Sequence, residues 1–281
     1  MAAHGEIVVT LDGEVVPADH PVGHVDDPMF TRGDGVFETL LLRGGRVCLV
    51  DAHLERLARS AEIVGLPRPD PARWRAATDA AAASWTGDGD AVLRMVWGRR
   101  SHGGATGFVT VSRLPDRVPA ARRDGVSAMT LDRGVAAAGP WSVAGAKSLS
   151  YASYAAALRH ADRLGIDEVV LVSADGFVLE GPRSSVVIAD RDGVLATPST
   201  TLPILPGITV QAVFDVARAR GTPCEERLLR VSDLVAAQGV WLLSSVTLAA
   251  RIRVLDGVRL RVAGEPVEMA ALVDEAVAGE P

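Results

Sequence analysis

Lys147, within Gly145-Ala-Lys-Ser-Leu-Ser-Tyr151, is the only lysine of the 281-residue chain, whose 29 Lys and Arg residues are otherwise all arginine. Arginine serves solubility, surface ion pairs and anion binding as well as lysine does. It does not give up its proton in a protein, so it cannot act as a neutral amine nucleophile, whereas a partly buried lysine can and can form a Schiff base. A chain that keeps one lysine among so many arginines points to amine chemistry at that position. The alternative is an arginine-biased composition with one lysine left in it, and the neighbours decide between the two.

Three further groups complement such an amine. Glu180 closes the apolar run Phe177-Val-Leu-Glu180, where a lone carboxylate would be costly without a partner. Gly207-Ile208-Thr209 opens a predicted helix, whose free N–H groups and dipole favour an anion. Ser244-Ser245 ends an apolar strand with hydroxyl donors, and Thr209 adds another. An amine, an acid to face a ring nitrogen and an anion pocket are what pyridoxal 5'-phosphate requires. Each group alone has a plainer reading, as a helix start, a solvated strand end or a turn; their combination is what points to the cofactor.

The elements that must position these groups read clearly in places. Residues 6–16 form a hairpin about Asp12-Gly13, and Gly44-Gly45 turns the apolar run before it into Val47–Val50. Asp51 is the predicted N-cap of a helix to about Val64, stopped by Gly65, and 72–85 forms a second helix. Strands are predicted over 91–98 and 108–114 with a glycine-rich loop between them, then near 126–131. An Ala/Gly-rich approach leads to Lys147, and Tyr151–Leu164 reads as a helix. Asp175-Gly176 and Asp192-Gly193 mark two hairpins. A helix from 206 to about 220, strands at 227–231 and 240–245, a short helix at 233–237, further strands to Arg261 and a last helix from about 265 complete the chain. Leu114–Gly125, with two prolines and no periodicity, is the best linker, giving domains of 1–118 and 119–281 with the lysine in the second.

The order of these features resembles the fold-type IV pyridoxal phosphate family: branched-chain and D-amino-acid aminotransferases and 4-amino-4-deoxychorismate lyases. Arg32-Gly-Asp-Gly-Val-Phe-Glu-Thr39 is similar to the family's early Gly-Asp-Gly-Val-Phe-Glu segment. His53-Leu-Glu-Arg56-Leu resembles its His-x-x-Arg-Leu helix, implying that Arg56 binds the cofactor phosphate. Lys147-Ser-Leu-Ser-Tyr151 is similar to Lys-(Ser/Thr)-Leu-Asn-Tyr, implying that Lys147 is the Schiff-base lysine and proton carrier. Glu180-Gly-Pro-Arg-Ser-Ser185 resembles Glu-Gly-x-x-Ser-Asn, placing Glu180 at the pyridine nitrogen and Ser185 nearby. Leu205-Pro-Gly207-Ile208-Thr209 matches the phosphate turn, and Ser244-Ser245 falls where hydroxyl donors occur. Tyr151, read as one helical turn beyond the lysine, is a candidate partner of the cofactor's phenolic oxygen, or else a core tyrosine. Three positions depart from the pattern: Ser150 and Ser185 stand for Asn, and Val210 for Arg.

The short Lys-x-Leu-x-Tyr spacing resembles the lyase and D-amino-acid branches, and Val96–Gly107 is similar to a glycine-rich arginine loop of aminodeoxychorismate lyases that here lacks its second arginine. The resemblance therefore implies a lyase that releases pyruvate and 4-aminobenzoate. Its alternatives are a D-amino-acid or branched-chain-type aminotransferase and a cofactor-binding relative without catalysis, which the departures at Ser185 and Val210 keep open. A substrate with carboxylates calls for arginine forks, for which Arg94, Arg99 and Arg183 are the candidates, each otherwise a surface ion pair. Lys147, partly buried, is expected to release its proton more readily than a free lysine. The implied fold is α/β (α+β), with a smaller N-terminal α/β sandwich, a larger C-terminal β-rich pseudo-barrel flanked by helices, the cofactor at their junction, and a homodimer.

Composition narrows the class. A net charge of −6 and a pI near 5.5 disfavour nucleic-acid binding and suit a small-molecule partner. No apolar run is long enough to span a bilayer, and Met1–Glu6 lacks the basic and apolar regions of a signal peptide. Cys48 and Cys224 fit neither a metal spacing nor a disulfide framework, so a reducing, cytoplasmic setting without a metal is expected.

Overall fold

The computed structural model describes residues 6–134, 139, 141–261 and 268–278, and the elements named here are those found among them. The chain divides into two compact units, Met1–Pro115 with Gly145–Tyr151, and Asp116–Ala144 with Ala152–Pro281.

In the first unit, β1 (Ile7–Thr10) and β2 (Val15–Val16) form the N-terminal hairpin, α1 (Pro28–Thr31) is a single turn, and β3 (Gly35–Arg43) and β4 (Arg46–Val47) flank Gly44-Gly45. Two helices follow, α2 (Val50–Ile63) and α3 (Pro71–Ser84), then the long strands β5 (Ala91–Arg99) and β6 (Ala105–Arg113). The strands form an antiparallel sheet in the order β2-β1-β6-β5-β3-β4. Leu54, Leu57 and Ala61 on α2 recur at helical spacing and meet Val36, Leu40 and Leu42, the alternate residues of β3. Each fully buried leucine of this layer contributes about 1.5–3 kcal/mol. Asp70 caps α3 by accepting from the Ala72 N–H at 2.9 Å.

The second unit comprises α4 (Arg117–Asp124), β7 (Val126–Asp132), α5 (Ala152–Arg163), β8 (Glu168–Val172), β9 (Ser185–Ala189), β10 (Leu195–Pro198), α6 (Ile208–Ala219), β11 (Cys224–Arg227), α7 (Val231–Ala236), β12 (Gly239–Ser244), β13 (Leu248–Leu255), β14 (Val258–Arg259) and α8 (Met269–Ala278). Its sheet runs β11-β10-β9-β12-β13-β7-β8, with β14 on β13. Antiparallel pairs make its centre, and β10–β11, β13–β7 and β7–β8 are parallel. The mixed sheets with packed helices are the α/β (α+β) class that the sequence implies.

Several local expectations are corrected. The Leu114–Gly125 linker contains α4; Pro119 lies in its first turn, where a missing N–H costs nothing. Asp51 is not the N-cap of α2: that position is Leu49, in the left-handed region at φ 54°, and Asp51 sits in the first turn, ion-paired with Arg75. The strand predicted at 227–231 is Cys224–Arg227, a charged edge strand that hydrophobic patterning could not find. The glycine-rich loop is shorter than expected, because β5 and β6 stay paired to Arg99 and Ala105. Tyr151 precedes α5 and is not one helical turn beyond the lysine. Parts of the Ala/Gly-rich approach to Lys147 and the start of the last helix, expected at 265, lie outside the described residues.

The largest departure concerns the lysine segment, which the sequence assigned to the C-terminal domain. Residues 145–151 run along the edge of β3 in the first unit: the Phe37 N–H donates to the Lys147 carbonyl at 2.9 Å and the Leu149 N–H to the Gly35 carbonyl at 2.8 Å. Gly35 makes this approach possible, since a Cβ there would stand 2.6 Å from Leu149 Cδ1 and 2.9 Å from both Gly98 Cα and the Trp97 carbonyl. Gly33, at φ +66°, also lies near this segment, since a Cβ there would stand 3.1 Å from the Ser150 Cα and N. Two of the contacts at Gly35 are with backbone atoms that cannot rotate away. Gly35→Ala is therefore expected to lower unfolding free energy by about 1–3 kcal/mol, read as a lower urea midpoint at unchanged slope. A loss within about 0.5 kcal/mol, the range of a neutral surface change, would show that the segment does not need this close approach.

Candidate active site

Lys147 is fixed through its backbone from two sides. Its carbonyl accepts from Phe37, and its N–H donates to Ser60 Oγ on α2 at 3.1 Å. The side chain then extends to Phe37, with Nζ 4.7 Å from the ring centroid. Tyr151 packs perpendicular to the same ring at 5.9 Å, and the exposed Arg94 guanidinium lies 5.7 Å from its centroid. The structure thus gathers Lys147, Tyr151 and Arg94 around a residue that the motif had supplied without a role.

The next residue of β3 faces the other way. Glu38 is fully buried, as is His53, and Arg56 is nearly so. Arg56 Nε donates to Glu38 Oε1 at 2.7 Å and its Nη2 to Oε2 at 2.8 Å, while His53 Nδ1 lies 2.7 Å from Oε2. Residues 53 and 56, three apart, share one face of α2, so both reach the single carboxylate. Burial alone would push the Glu38 carboxyl up, but Arg56 and His53 outweigh it and hold it well below the usual glutamate range. Burial pushes His53 down, against the pull of Glu38, and Arg56 and Lys147 reinforce that direction. Neutral His53 bonded to an ionised carboxylate carries its proton on Nδ1 and donates it. Arg56, expected to serve a phosphate, thus commits two nitrogens to Glu38.

In the second unit Glu180 is buried and held at both oxygens. Oε1 accepts from the Tyr154 hydroxyl at 2.8 Å and from Arg133 Nη1 at 3.2 Å; Oε2 accepts from the Leu205 N–H at 3.0 Å. Burial and the Glu180 charge push the Tyr154 phenol well above its ordinary value, so it stays a donor. Arg133 is itself fixed by the Pro203 carbonyl at 2.8 Å. Three donors thus converge on one buried carboxylate.

The start of α6 has the makings of an anion cradle. Its first N–H groups have no carbonyl one turn back, Gly207 is the N-cap, and the first turn carries no acid. Buried Thr209 Oγ1 lies 3.4 Å from Ser245 Oγ. Ser185 Oγ reaches the same place, because a Cβ on Gly207 would stand 2.5 Å from it. Backbone N–H groups, Ser185, Thr209 and Ser245 make a neutral donor set that fits a phosphate, even with Val210 where an arginine is usual. Ser244 is turned to a local task, its Oγ accepting from the Thr247 N–H at 3.1 Å. Ile208 is buried and contributes its backbone to the turn.

Of the three arginines proposed for carboxylates, two have carboxylate partners already. Arg99 Nε donates to Asp34 at 2.8 Å and its Nη2 to the Val64 carbonyl at 2.9 Å. Arg183 makes two bonds to Glu168 Oε1, at 3.0 and 2.7 Å. Six participants escaped the sequence reading, Ser60 and His53 on α2 among them. Phe37 and Glu38 lay inside a recognised motif, and a glutamate amid an apolar strand ahead of His-x-x-Arg is the pattern that marks a buried triad. Arg133 and Tyr154 carried no local signal, since only the tertiary fold brings them to Glu180.

A clamped lysine in the first unit and, in the second, a buried carboxylate and a helix-start anion cradle are each among the groups that pyridoxal phosphate chemistry needs. Residues 35–255 match the amino-transferase class IV family, and the chain belongs to it. It is 52% identical over 289 residues to the bifunctional aminodeoxychorismate lyase / D-amino acid transaminase of Mycobacterium tuberculosis, with 98% of this chain and 100% of that protein covered. Two solved structures described as a hypothetical aminotransferase from Mycobacterium tuberculosis are likewise similar at 52% identity. The PLP-bound form has a TM-score of 0.92 over 97% of this chain and 98% of that one. The alpha-ketoglutarate and PMP bound form has a TM-score of 0.93 over 96% and 98%.

The buried triad makes stability depend on pH in a definite sense. Glu38 binds its proton more weakly in the folded chain, so its contribution is complete above the ordinary value of 4.5 and is lost as pH falls below it. His53 also binds its proton more weakly when folded, so stability begins to fall as pH drops below 6.5. Acidification should therefore weaken the fold in two stages, and His53→Gln should flatten the first, just below 6.5. Urea unfolding across a pH series measures this; an unchanged slope in the variant would assign the upper stage to another group. Glu38→Gln, which leaves Arg56 buried without its counter-charge, should cost about 3–5 kcal/mol at neutral pH.

Proposed function

We propose that this chain is a pyridoxal phosphate-dependent 4-amino-4-deoxychorismate lyase, releasing pyruvate and 4-aminobenzoate, and that the same amine also supports transamination of D-amino acids. The observation that carries the reading is the sole lysine, clamped at both backbone groups, in a chain 52% identical to a protein that bears both activities in its name. The second activity is favoured by that same name and by the neighbour described with alpha-ketoglutarate and PMP.

Bound pyridoxal phosphate would supply an aldehyde that takes up amines and a ring that accepts electrons. Lys147 would hold the amine and, once the substrate amine has replaced it, accept the proton from C4 of the substrate. That proton returns to the departing three-carbon fragment as pyruvate, so substrate and products balance without water or an amino acceptor. In transamination the same Lys147 amine would instead take a proton from one carbon and give it to another. Glu180, held by its donors, would face the pyridine nitrogen. Ser185, Gly207, Ile208, Thr209 and Ser245 would bind the phosphate, with Arg56 adding positive charge and Ser244 shaping the adjoining turn. Tyr151 would donate to the phenolic oxygen. Arg94, exposed and without a carboxylate partner among the described residues, unlike Arg99 and Arg183, is the preferred site for a substrate carboxylate. A small-molecule substrate fits the family, and we extend the reading to a homodimer in a cytoplasmic setting.

The test is a direct assay. Purified protein with aminodeoxychorismate and no keto acid should release pyruvate and 4-aminobenzoate in equal amounts; D-alanine with alpha-ketoglutarate should yield pyruvate separately. Lys147→Ala should lower both rates by roughly 10²–10⁴-fold. Product from aminodeoxychorismate only when a keto acid is added would overturn the lyase reading. Cofactor binding without either turnover would identify a non-catalytic relative.

A further inference from the structure

Phe37 combines four contacts that neither sheet packing nor the buried triad requires. It sits on β3 one residue before Glu38, and its N–H holds the Lys147 carbonyl. Its ring carries the Lys147 Nζ at 4.7 Å and the Arg94 guanidinium at 5.7 Å. Tyr151, at the end of the same lysine segment, stands at 90° to that ring and limits its rotation. An ammonium over an aromatic face is attracted by the ring quadrupole, whereas a neutral amine is attracted far less. The same residue therefore fixes the lysine backbone and interacts selectively with one protonation state of its side chain.

We propose that Phe37 is a positioning residue for Lys147, its ring serving as a resting platform for the protonated amine. The platform deepens the reading of Lys147 as a proton carrier: a lysine that has just accepted a proton needs a place to hold it until return. The other charged or titratable groups around the amine are Arg94 from β5, Tyr151 from its own segment, and His53 from α2 with Glu38 and Arg56 behind it. Arg94 and Arg56 oppose the ammonium and Glu38 favours it. The contribution of the ring must therefore be read as a difference at constant surroundings, by changing Phe37 alone.

The single lysine makes that difference measurable without turnover. The full chain, freed of bound aldehyde with hydroxylamine, is acylated at a series of pH values, and the Lys147 peptide is quantified by mass spectrometry apart from the terminal amine. Phe37→Leu should move the pH midpoint of labelling downward by about 0.4–1.5, the cation–π range of about 0.5–2 kcal/mol expressed in pH. Phe37→Tyr, which keeps a ring face, should stay near wild type. If the leucine variant does not fold, Phe37→Met gives the same reading, since its flexible side chain fills irregular space. A folded Phe37→Leu or Phe37→Met protein with the wild-type midpoint overturns the proposal. A midpoint lowered equally in Phe37→Tyr also overturns it, because a packing defect rather than the ring face would then be responsible. Labelling reads the amine alone, so it can fail while the lyase assay succeeds, and the reverse.

Discussion

The chemistry of the first unit depends on the buried carboxylate of Glu38. An ion of this size taken out of water costs several kcal/mol unless it is paired with good geometry. Arg56 supplies two charge-assisted bonds and His53 a third, so the side chain that would otherwise break the core instead joins β3 to α2. That junction sets where Ser60 lies, one turn further along α2, and Ser60 is what receives the Lys147 N–H. The position of the amine is thus inherited from a carboxylate on the far face of the strand that carries Phe37.

β3 can do both things because a strand alternates its side chains. Glu38 points towards α2 with Val36, Leu40 and Leu42, while Phe37 and Thr39 point the opposite way. Its backbone is divided in the same rhythm. One edge pairs with β5 throughout, and the other is left at Gly35 and Phe37 for the lysine segment. Two glycines in the Arg32–Thr39 motif remove the Cβ atoms that would block this approach. The motif is therefore a physical unit: glycine for access, phenylalanine for the amine and glutamate for the helix behind it.

Much of this was legible because the signals are local. Gly-Gly and Asp-Gly turns and the alternating apolar strands follow from backbone preferences acting over a few residues, and the structure reproduces them. Motif order identified the family. Less local features were missed for identifiable reasons. Pro119 read as a helix breaker although the first turn of α4 accepts it. The lysine segment was assigned by its position in the chain, whereas its partners on β3 lie more than a hundred residues away. Tyr154 was indistinguishable from Tyr151 by residue type, yet only Tyr154 reaches Glu180 at hydrogen-bond distance among the described contacts. Sequence spacing carried no signal for Tyr154 at Glu180, because spacing says which residues share a helical face and not what that face meets.

The arrangement separates what is fixed from what must move. At Glu180, two side-chain donors and one backbone N–H hold the carboxylate in place, and the raised Tyr154 phenol prevents that donor from ionising near neutral pH. At Lys147, hydrogen bonds secure the backbone on two sides, and the amine lies over the Phe37 ring. A ring face worth about 0.5–2 kcal/mol orients the group weakly enough for it to leave and return. Under the proposed reading, in which Lys147 carries a proton, that combination is what the chemistry calls for: a backbone that does not shift and a side chain that does.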